Sequence, residues 1–203
     1  MNLKKVLVIG AGTMGQGIAQ WFCQQNILVE LVDTSPDATD LAIGNIHKSW
    51  KKLCQKNKFN ENEIHSFKTN LIKKDLQSFS SDHDLAIEAI VEDIKIKNNL
   101  FNHLNEKLSP NTIIASNTSG LSITGLASNL PPSRQTNFVG LHFFNPPTIM
   151  KLVEIVKTSW VSKQKIADLS SWFHKAKKCP VICADGPGFI GNRLARNFYG
   201  EAL

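Results

Sequence analysis

One stretch near the amino terminus decides the fold of this chain: Val6-Leu7-Val8-Ile9-Gly10-Ala11-Gly12-Thr13-Met14-Gly15. A run of apolar residues that ends in glycine predicts a strand buried on both faces, as in a parallel sheet. After the turn, apolar residues recur at helical spacing, at Met14, Ile18, Trp21 and Phe22. The turn therefore joins a buried strand to a helix, and a second apolar run at 29–32 completes a βαβ unit.

The glycines of this turn have the spacing of a dinucleotide-binding site. Gly10 permits the tight turn, Gly12 lets the backbone approach a pyrophosphate, and Gly15 allows the helix to pack closely on the sheet. The amides and the positive dipole end of the helix would receive the phosphates. The predicted cofactor contacts are Gly10, Ala11, Gly12, Thr13, Met14 and Gly15. A purely structural turn is the alternative, and the surrounding strand, helix and acidic residue argue against it.

Asp33 ends the second predicted strand. An acidic residue at this place accepts hydrogen bonds from the hydroxyls of the adenosine ribose. Its charge would repel a 2′-phosphate, and Thr34 and Ser35 follow it where an arginine would favour that phosphate. The sequence therefore predicts NAD, and not NADP, as the cofactor.

Strands and helices continue to alternate along the chain. The other predicted elements are strands at 85–91, 112–115, 139–144, 151–156 and 180–184, and helices at 36–55, 95–108 and 163–177. The link between 139–144 and 151–156 is shorter than the dozen or so residues that a parallel crossover needs, so these strands should pair antiparallel. We expect an α/β fold with a doubly wound, mostly parallel sheet and one antiparallel addition.

A histidine and a glutamate interrupt this apolar strand pair. If the pair is centred on Thr148, His142 and Glu154 lie opposite each other, with Cβ atoms about 4.5 to 5.5 Å apart. A carboxylate on one imidazole nitrogen fixes the tautomer and raises the basicity of the other nitrogen, which predicts a general base with its orienting group. The alternative is a core histidine satisfied by a buried glutamate. Burying an ion pair among apolar residues costs free energy, so a pair without a function is not expected here. This favours the catalytic interpretation over the structural one.

Four further runs accompany the glycine turn, and they are Ser116-Asn117-Thr118-Ser119, Leu141-His142-Phe143-Phe144-Asn145-Pro146, Met150-Lys151-Leu152-Val153-Glu154 and Pro187-Gly188-Phe189-Ile190-Gly191-Asn192-Arg193. In this order they resemble the 3-hydroxyacyl-CoA dehydrogenase family, including its 3-hydroxybutyryl-CoA members, over nearly the whole chain. The resemblance implies a Rossmann-type fold. It also implies NAD-dependent oxidation of an L-3-hydroxyacyl-CoA to the 3-ketoacyl-CoA, in fatty acid β-oxidation or hydroxybutyryl-CoA metabolism. His142 would be the general base, oriented by Glu154.

The same resemblance implies roles for residues that carry no signal by themselves. Catalytic positions that would hydrogen-bond the reacting oxygen and neighbouring substrate groups are Ser119 and Asn192. Further NAD contacts correspond to Glu92, Lys97, Ser119 and Asn145, and substrate contacts with coenzyme A correspond to Ser49, Lys56 and Ser119. Without the resemblance, Glu92 and Lys97 would be ordinary charges in the first turn of a helix.

The chain divides at the breaker cluster Asp185-Gly186-Pro187-Gly188. We expect residues 1–185 to form the NAD-binding domain. Residues 186–203 should hold a hinge and the first helix, from 189 onwards, of a truncated all-α domain. Because the family continues through such a helical domain, which closes over the acyl chain, the resemblance implies that the full-length protein is a homodimer.

The composition is that of an ordinary soluble globular protein, with 42% hydrophobic residues and a net charge of +6. Its lysines are scattered, which favours a solvated surface over nucleic-acid binding and would suit the phosphates of coenzyme A. The cysteines form no C-x-x-C pair, so we expect free thiols, no metal site and a cytoplasmic location. No apolar run approaches the roughly 18 residues of a membrane helix, and we expect no membrane contact.

Two other functions stay open. The chain could be a non-catalytic NAD-binding protein of the same fold, or a similar dehydrogenase that acts on a small hydroxy acid. The complete set of Ser119, His142, Glu154 and Asn192 argues against the first. The His142–Glu154 pair argues against the second.

Overall fold

A computed structural model describes residues 1–200 of the chain. Its strands are β1 (Lys5–Ile9), β2 (Leu28–Val32), β3 (Leu71–Lys73), β4 (Leu85–Glu88), β5 (Ile113–Ser116), β6 (Phe138–Phe143), β7 (Leu152–Lys157) and β8 (Cys179–Ala184). Its helices are α1 (Thr13–Gln24), α2 (Pro36–Gln55), α3 (Glu61–Thr69), α4 (Ile94–Lys107), α5 (Ile123–Ala127), α6 (Pro132–Gln135), α7 (Lys163–Lys175) and α8 (Gly191–Gly200). The strands form one sheet in the order β3-β2-β1-β4-β5-β6-β7-β8.

The strand order reverses at β1, which pairs in parallel with β2 on one side and with β4 on the other. In a doubly wound sheet, ligands bind in the crevice at the carboxyl ends of the strands where the order reverses. The glycine turn follows β1 directly, and the amide of Gly10 donates to the carbonyl of Val32 at the end of β2 (2.9 Å). The predicted βαβ unit is confirmed, with its turn at the switch point.

The predicted antiparallel pair is also confirmed. β6 pairs antiparallel with β7, in a register that sets His142 opposite Glu154. β8 then pairs in parallel with β7 and forms the edge of the sheet. The fold is therefore a doubly wound, mostly parallel α/β sheet with an antiparallel addition at one end.

An aromatic cluster joins the helix of the glycine turn to the strand that carries His142. The ring of Trp21 in α1 lies 5.8 Å from the ring of Phe143 in β6 and stacks on Phe173 of α7 at 5.9 Å. Phe22 and Trp172 stack beside them at 5.7 Å. Large rings packed in this way contribute strongly to a core and leave little freedom between the elements that carry them. The cluster therefore fixes α1 relative to β6.

Two element boundaries differ clearly from the predictions. β4 ends at Glu88, because the chain turns there and the amide of Ile90 donates to the Glu88 carboxylate (2.7 Å). The last helix begins at Gly191 and not at 189, because Phe189 has a φ of 48°, outside the helical region. Residues 201–203, which the prediction included in that helix, lie outside the described residues. The short elements β3, α5 and α6 were not predicted, because their sequences show no periodic pattern of apolar residues.

Among the described residues, no helix is long and apolar enough to cross a membrane.

Candidate active site

The glycine turn presents open backbone at the start of α1. Gly10 has a φ of 105°, in the region that favours glycine, and a Cβ on Gly15 would lie 1.7 Å from the carbonyl oxygen of Gly10. Gly12 is the N-cap of α1, and no side chain caps the helix. A Cβ on Gly12 would meet nothing within 4 Å. The first amides of α1 therefore face open space that an anionic group could fill.

Asp33 is held beside this turn. Its Oδ2 accepts the amide of Ala11 (2.7 Å) and its Oδ1 accepts the amide of Ser35 (3.0 Å). A cavity of about 270 Å³ adjoins it, with a mainly apolar lining that includes Ile90 and Ile96. The sequence interpretation did not find this lining, although Ile96, an isoleucine on the exposed side of α4, was an available signal. The cavity suits a flat aromatic ring next to a carboxylate that can accept hydroxyl groups.

A second cavity, of about 310 Å³, brings together several of the predicted site residues. Its lining includes Met14, Glu92, Ser119, His142, Phe144 and Asn145. Ile90 lines both cavities, so they adjoin along the carboxyl edge of the sheet. The structure therefore brings together residues from the glycine turn and from the loops after β4, β5 and β6.

His142 and Glu154 form a hydrogen bond across the antiparallel pair. The Nδ1 of His142 lies 2.7 Å from the Oε2 of Glu154, and the two side chains are 9% and 1% exposed. Since a carboxylate can only accept, Nδ1 carries the proton of this bond, and Nε2 is the nitrogen available for proton transfer. The rings of Phe144 and Phe189 flank the imidazole at 4.6 and 5.7 Å. The pair thus has the geometry of a base and its orienting carboxylate.

The loop of Ser119 is held from two sides. Asn192 donates from its Nδ2 to the carbonyl oxygen of Ser119 (3.1 Å), and Glu92 accepts the amide of Ser119 (3.2 Å). Burial opposes ionisation of Glu92, but the hydroxyl of Thr118 and the ammonium of Lys97 outweigh it and lower the pKa of this carboxyl. Glu92 is therefore a carboxylate that shapes the loop, and Asn192 contacts the same loop from α8.

Lys97, a predicted NAD contact, is not an ordinary charge in the first turn of a helix, because it is almost completely buried. Its ammonium pairs with Glu88 at the end of β4 and lies 3.3 Å from Glu92. Glu88 also accepts the hydroxyl of Ser116 (2.6 Å), whose oxygen in turn accepts the amide of Thr118 (3.2 Å). The sequence interpretation gave no role to Glu88, or to Ser116, which it named only as part of a motif. Polar residues at the ends of two apolar strands were the signal for them.

Comparison with known proteins shows to which family this chain belongs. Residues 5–186 match the family described as "3-hydroxyacyl-CoA dehydrogenase, NAD binding domain". The chain belongs to this family. NAD is therefore the cofactor of the domain.

Relatives of this 3-hydroxyacyl-CoA dehydrogenase domain include the mitochondrial hydroxyacyl-coenzyme A dehydrogenase of Rattus norvegicus, 41% identical over 99% of the chain. A probable 3-hydroxybutyryl-CoA dehydrogenase of Deinococcus radiodurans is 39% identical over 97% of the chain, which covers 69% of that protein. The crystal structure of 3-hydroxybutyryl-CoA dehydrogenase from Escherichia coli K12 superimposes with a TM-score of 0.94 at 36% identity, over 100% of this chain and 42% of that one. The chain spans 65% of the length of the rat protein.

The residues of this 3-hydroxyacyl-CoA dehydrogenase domain fit an NAD molecule. The open backbone at Gly12 can receive the pyrophosphate, Asp33 can accept the ribose hydroxyls, and the apolar cavity beside it can hold the adenine ring. The cavity with His142 would then receive the nicotinamide. Ser49 and Lys56 lie elsewhere, on α2 and at its C-cap, two helical turns apart on one face. Ser49 accepts a hydrogen bond from Gln20 (3.0 Å), and Lys56 is exposed.

Asp185 is a further residue that the sequence interpretation treated only as part of a breaker cluster. Its carboxylate accepts the hydroxyl of Ser122 (2.7 Å) and the amides of Thr124 (2.7 Å) and Ile123 (3.1 Å), at the start of α5. Burial opposes ionisation, but these hydrogen bonds outweigh it and lower the pKa of Asp185. Asp185 thus fixes the end of β8 to α5, immediately before the segment that leads to α8.

Proposed function

We propose that this protein is an NAD-dependent dehydrogenase that oxidises an L-3-hydroxyacyl-CoA to the corresponding 3-ketoacyl-CoA. The hydrogen bond between His142 and Glu154, in the cavity that adjoins the glycine turn, is the observation that carries the proposal. Family membership and the names of the relatives support the substrate class.

His142 is the general base in this proposal. Its Nε2 takes the proton of the 3-hydroxyl group, and Glu154 stabilises the imidazolium that forms. Bound NAD supplies the acceptor for the hydride that leaves C3. In the reverse direction the protonated His142 polarises the 3-keto group. The apolar rings of Phe144 and Phe189 beside the imidazole exclude water, which strengthens the electrostatic interactions at the reacting oxygen.

Ser119 and Asn192 position the substrate. Ser119 lies in the loop after β5, and Glu92 accepts its amide. The hydrogen bond from the Asn192 side chain to the Ser119 carbonyl oxygen connects this loop to α8. A hydroxyl and an amide at this place can bind the reacting oxygen and the thioester group, which keeps C3 at the distance for hydride transfer. Glu92 and Asn145 contact the nicotinamide half of NAD in this proposal, and Lys97 holds Glu92.

Coenzyme A would lie along α2. Ser49 and Lys56 are its proposed contacts on one face of that helix, and the net charge of +6 favours its phosphates. A free hydroxy acid would need neither of these two residues. The proposal therefore predicts a strong preference for the thioester over the free acid.

The remaining assignments concern the protein as a whole. We propose residues 1–185 as the NAD-binding domain and 186–203 as the hinge and the start of a helical domain through which the protein forms a homodimer. The described cysteines are free thiols, which supports a reducing compartment such as the cytoplasm. Fatty acid β-oxidation or hydroxybutyryl-CoA metabolism is the proposed context.

The test measures the oxidation of NADH by the full-length protein. Acetoacetyl-CoA and free acetoacetate are compared as substrates in parallel assays. We expect turnover with the thioester and at least tenfold lower kcat/KM with the free acid. Turnover that is equal with both compounds would favour a dehydrogenase of small hydroxy acids. Binding of NADH without turnover of either would favour a non-catalytic NAD-binding protein.

A further inference from the structure

The carboxylate of Glu154 divides its two oxygens between different partners. Oε2 meets the imidazole of His142, and Oε1 accepts the amides of Ile190 (2.9 Å) and Gly191 (2.7 Å). Gly191 is the first residue of α8, so both donors belong to the amino-terminal end of that helix. Such amides have no partner inside their own helix and lie at the positive end of its dipole.

The segment before α8 has the backbone that turns these amides towards Glu154. Gly188 and Phe189 both have positive φ, 72° and 48°. Positive φ is uncommon for a bulky residue and persists only when its surroundings hold it. The ring of Phe189 is buried beside His142, which supplies that support.

Glycine at position 191 permits a close approach of α8 to the site. A Cβ there would lie 2.6 Å from the Cζ of Phe144 and 3.6 Å from the Oε1 of Glu154. The start of α8 therefore packs directly against the ring that flanks His142. Two hydrogen bonds and two aromatic contacts connect this helix end to the catalytic pair.

We propose that the first turn of α8 is a positioning element for catalysis: the amides of Ile190 and Gly191 hold one oxygen of Glu154 so that the other is presented to His142. A carboxylate held only by His142 could rotate about its terminal bond, whereas charge-assisted bonds to fixed amides orient it. These amides act through Glu154 and do not touch the substrate. The inference rests on the proposed dehydrogenase function, and it makes the orientation of α8 a determinant of turnover.

The substitution Gly191→Pro tests this role, with Gly191→Ala as its matched control. Proline is well tolerated at the first position of a helix, and it removes the N–H that Glu154 accepts. Both variants add the same Cβ next to Phe144, but only alanine keeps the donor. We expect kcat for acetoacetyl-CoA reduction to be about tenfold lower in Gly191→Pro than in Gly191→Ala, the effect of one charge-assisted hydrogen bond. The KM for NADH should be the same in both.

Equal kcat values in the two active variants would overturn the inference. If the proline variant does not fold, a second measurement still tests the inference. It compares the NMR chemical shifts of the amide protons of Ile190 and Gly191 between the native chain and the variant Glu154→Gln. We expect both resonances to move upfield in Glu154→Gln, because a neutral amide oxygen is a weaker acceptor than a carboxylate. Resonances that do not move would also overturn it. If the native chain and Gly191→Ala both lack turnover, the proposed function fails, while the resonances still decide whether the amides hold Glu154.

Discussion

The ammonium of Lys97 and the carboxylate of Glu88 form an ion pair whose side chains are 1% and 0% exposed. The pair lies at the carboxyl end of β4, where the sheet changes strand order, and the same ammonium reaches Glu92 in the proposed nicotinamide cavity. Burial removes both charges from water, so each depends on the other for compensation.

Removal of one partner should therefore be far more costly than removal of both. Lys97→Met should lower the free energy of unfolding by about 3 kcal/mol, because it leaves the Glu88 carboxylate buried without its cation. The double variant Glu88→Gln/Lys97→Met should be more stable than the sum of the single effects by about 2 kcal/mol. Urea denaturation measures both, with the exposed Lys95→Met as control. Additive effects would show that the pair is not coupled.

Alanine at two positions of the glycine turn should affect different properties, stability at one and cofactor binding at the other. Gly15→Ala places its Cβ against the carbonyl of Gly10, so it should lower the free energy of unfolding by about 3 kcal/mol. Gly12→Ala meets open space, so it should cost less than about 1 kcal/mol. It should nevertheless weaken NADH binding at least tenfold, because the methyl group occupies the proposed place of the pyrophosphate. Thermal unfolding and NADH fluorescence titration measure the two quantities. Unchanged NADH affinity in Gly12→Ala would contradict the assignment.

Asp33 should control the choice between NAD and NADP. Asp33→Asn removes the charge that repels a 2′-phosphate, while it keeps the shape of the side chain. We expect the ratio of kcat/KM for NADPH to that for NADH to rise about tenfold. The exposed Asp37→Asn, in the first turn of α2, is the matched control and should leave the ratio unchanged. The prediction fails if the two variants have the same ratio.

Asp185 should make stability depend on pH in the acidic range. Its pKa in the folded protein is lowered, because the hydrogen bonds from Ser122, Thr124 and Ile123 outweigh its burial. The ionised group therefore stabilises the fold above its ordinary pKa of about 4, and this contribution is lost as the pH falls through the lower, folded value. Asp185→Asn should be less stable than the native chain at pH 7, and the difference should shrink as the pH falls below about 4.

Thermal unfolding across that pH range checks this prediction, with the exposed Asp75→Asn as control. A difference between Asp185→Asn and the native chain that is constant from pH 7 to pH 2 would mean that the charge of Asp185 has no part in it.

The fold was predictable where a pattern repeats or a link is short. The apolar run before Gly10 and the helical spacing after it indicated the βαβ unit, and the short link around Thr148 allowed only an antiparallel pair. That pairing then set the register of His142 and Glu154, so their contact could be predicted from two positions in the chain.

The remaining features depend on contacts between distant segments. The carboxylate of Glu88 finds its partners nine and 28 residues further along the chain, and Asp185 caps a helix 61 residues before it. Such pairs produce no periodic pattern in a single sequence. The amides at the start of α8 were equally hidden, because backbone donors carry no residue signature and the positive φ of Phe189 is not encoded in its residue type.

The central claim, that His142 exchanges the proton while the glycine turn binds the cofactor, is tested most directly by His142→Gln. NADH affinity from fluorescence titration should stay within about twofold of the native value, because the substitution leaves the proposed contacts with the pyrophosphate and the ribose unaltered. The kcat for reduction of acetoacetyl-CoA should fall by about 10²- to 10⁴-fold, the usual contribution of a positioned acid–base group. A His142→Gln variant that binds NADH normally and retains native turnover would contradict the account.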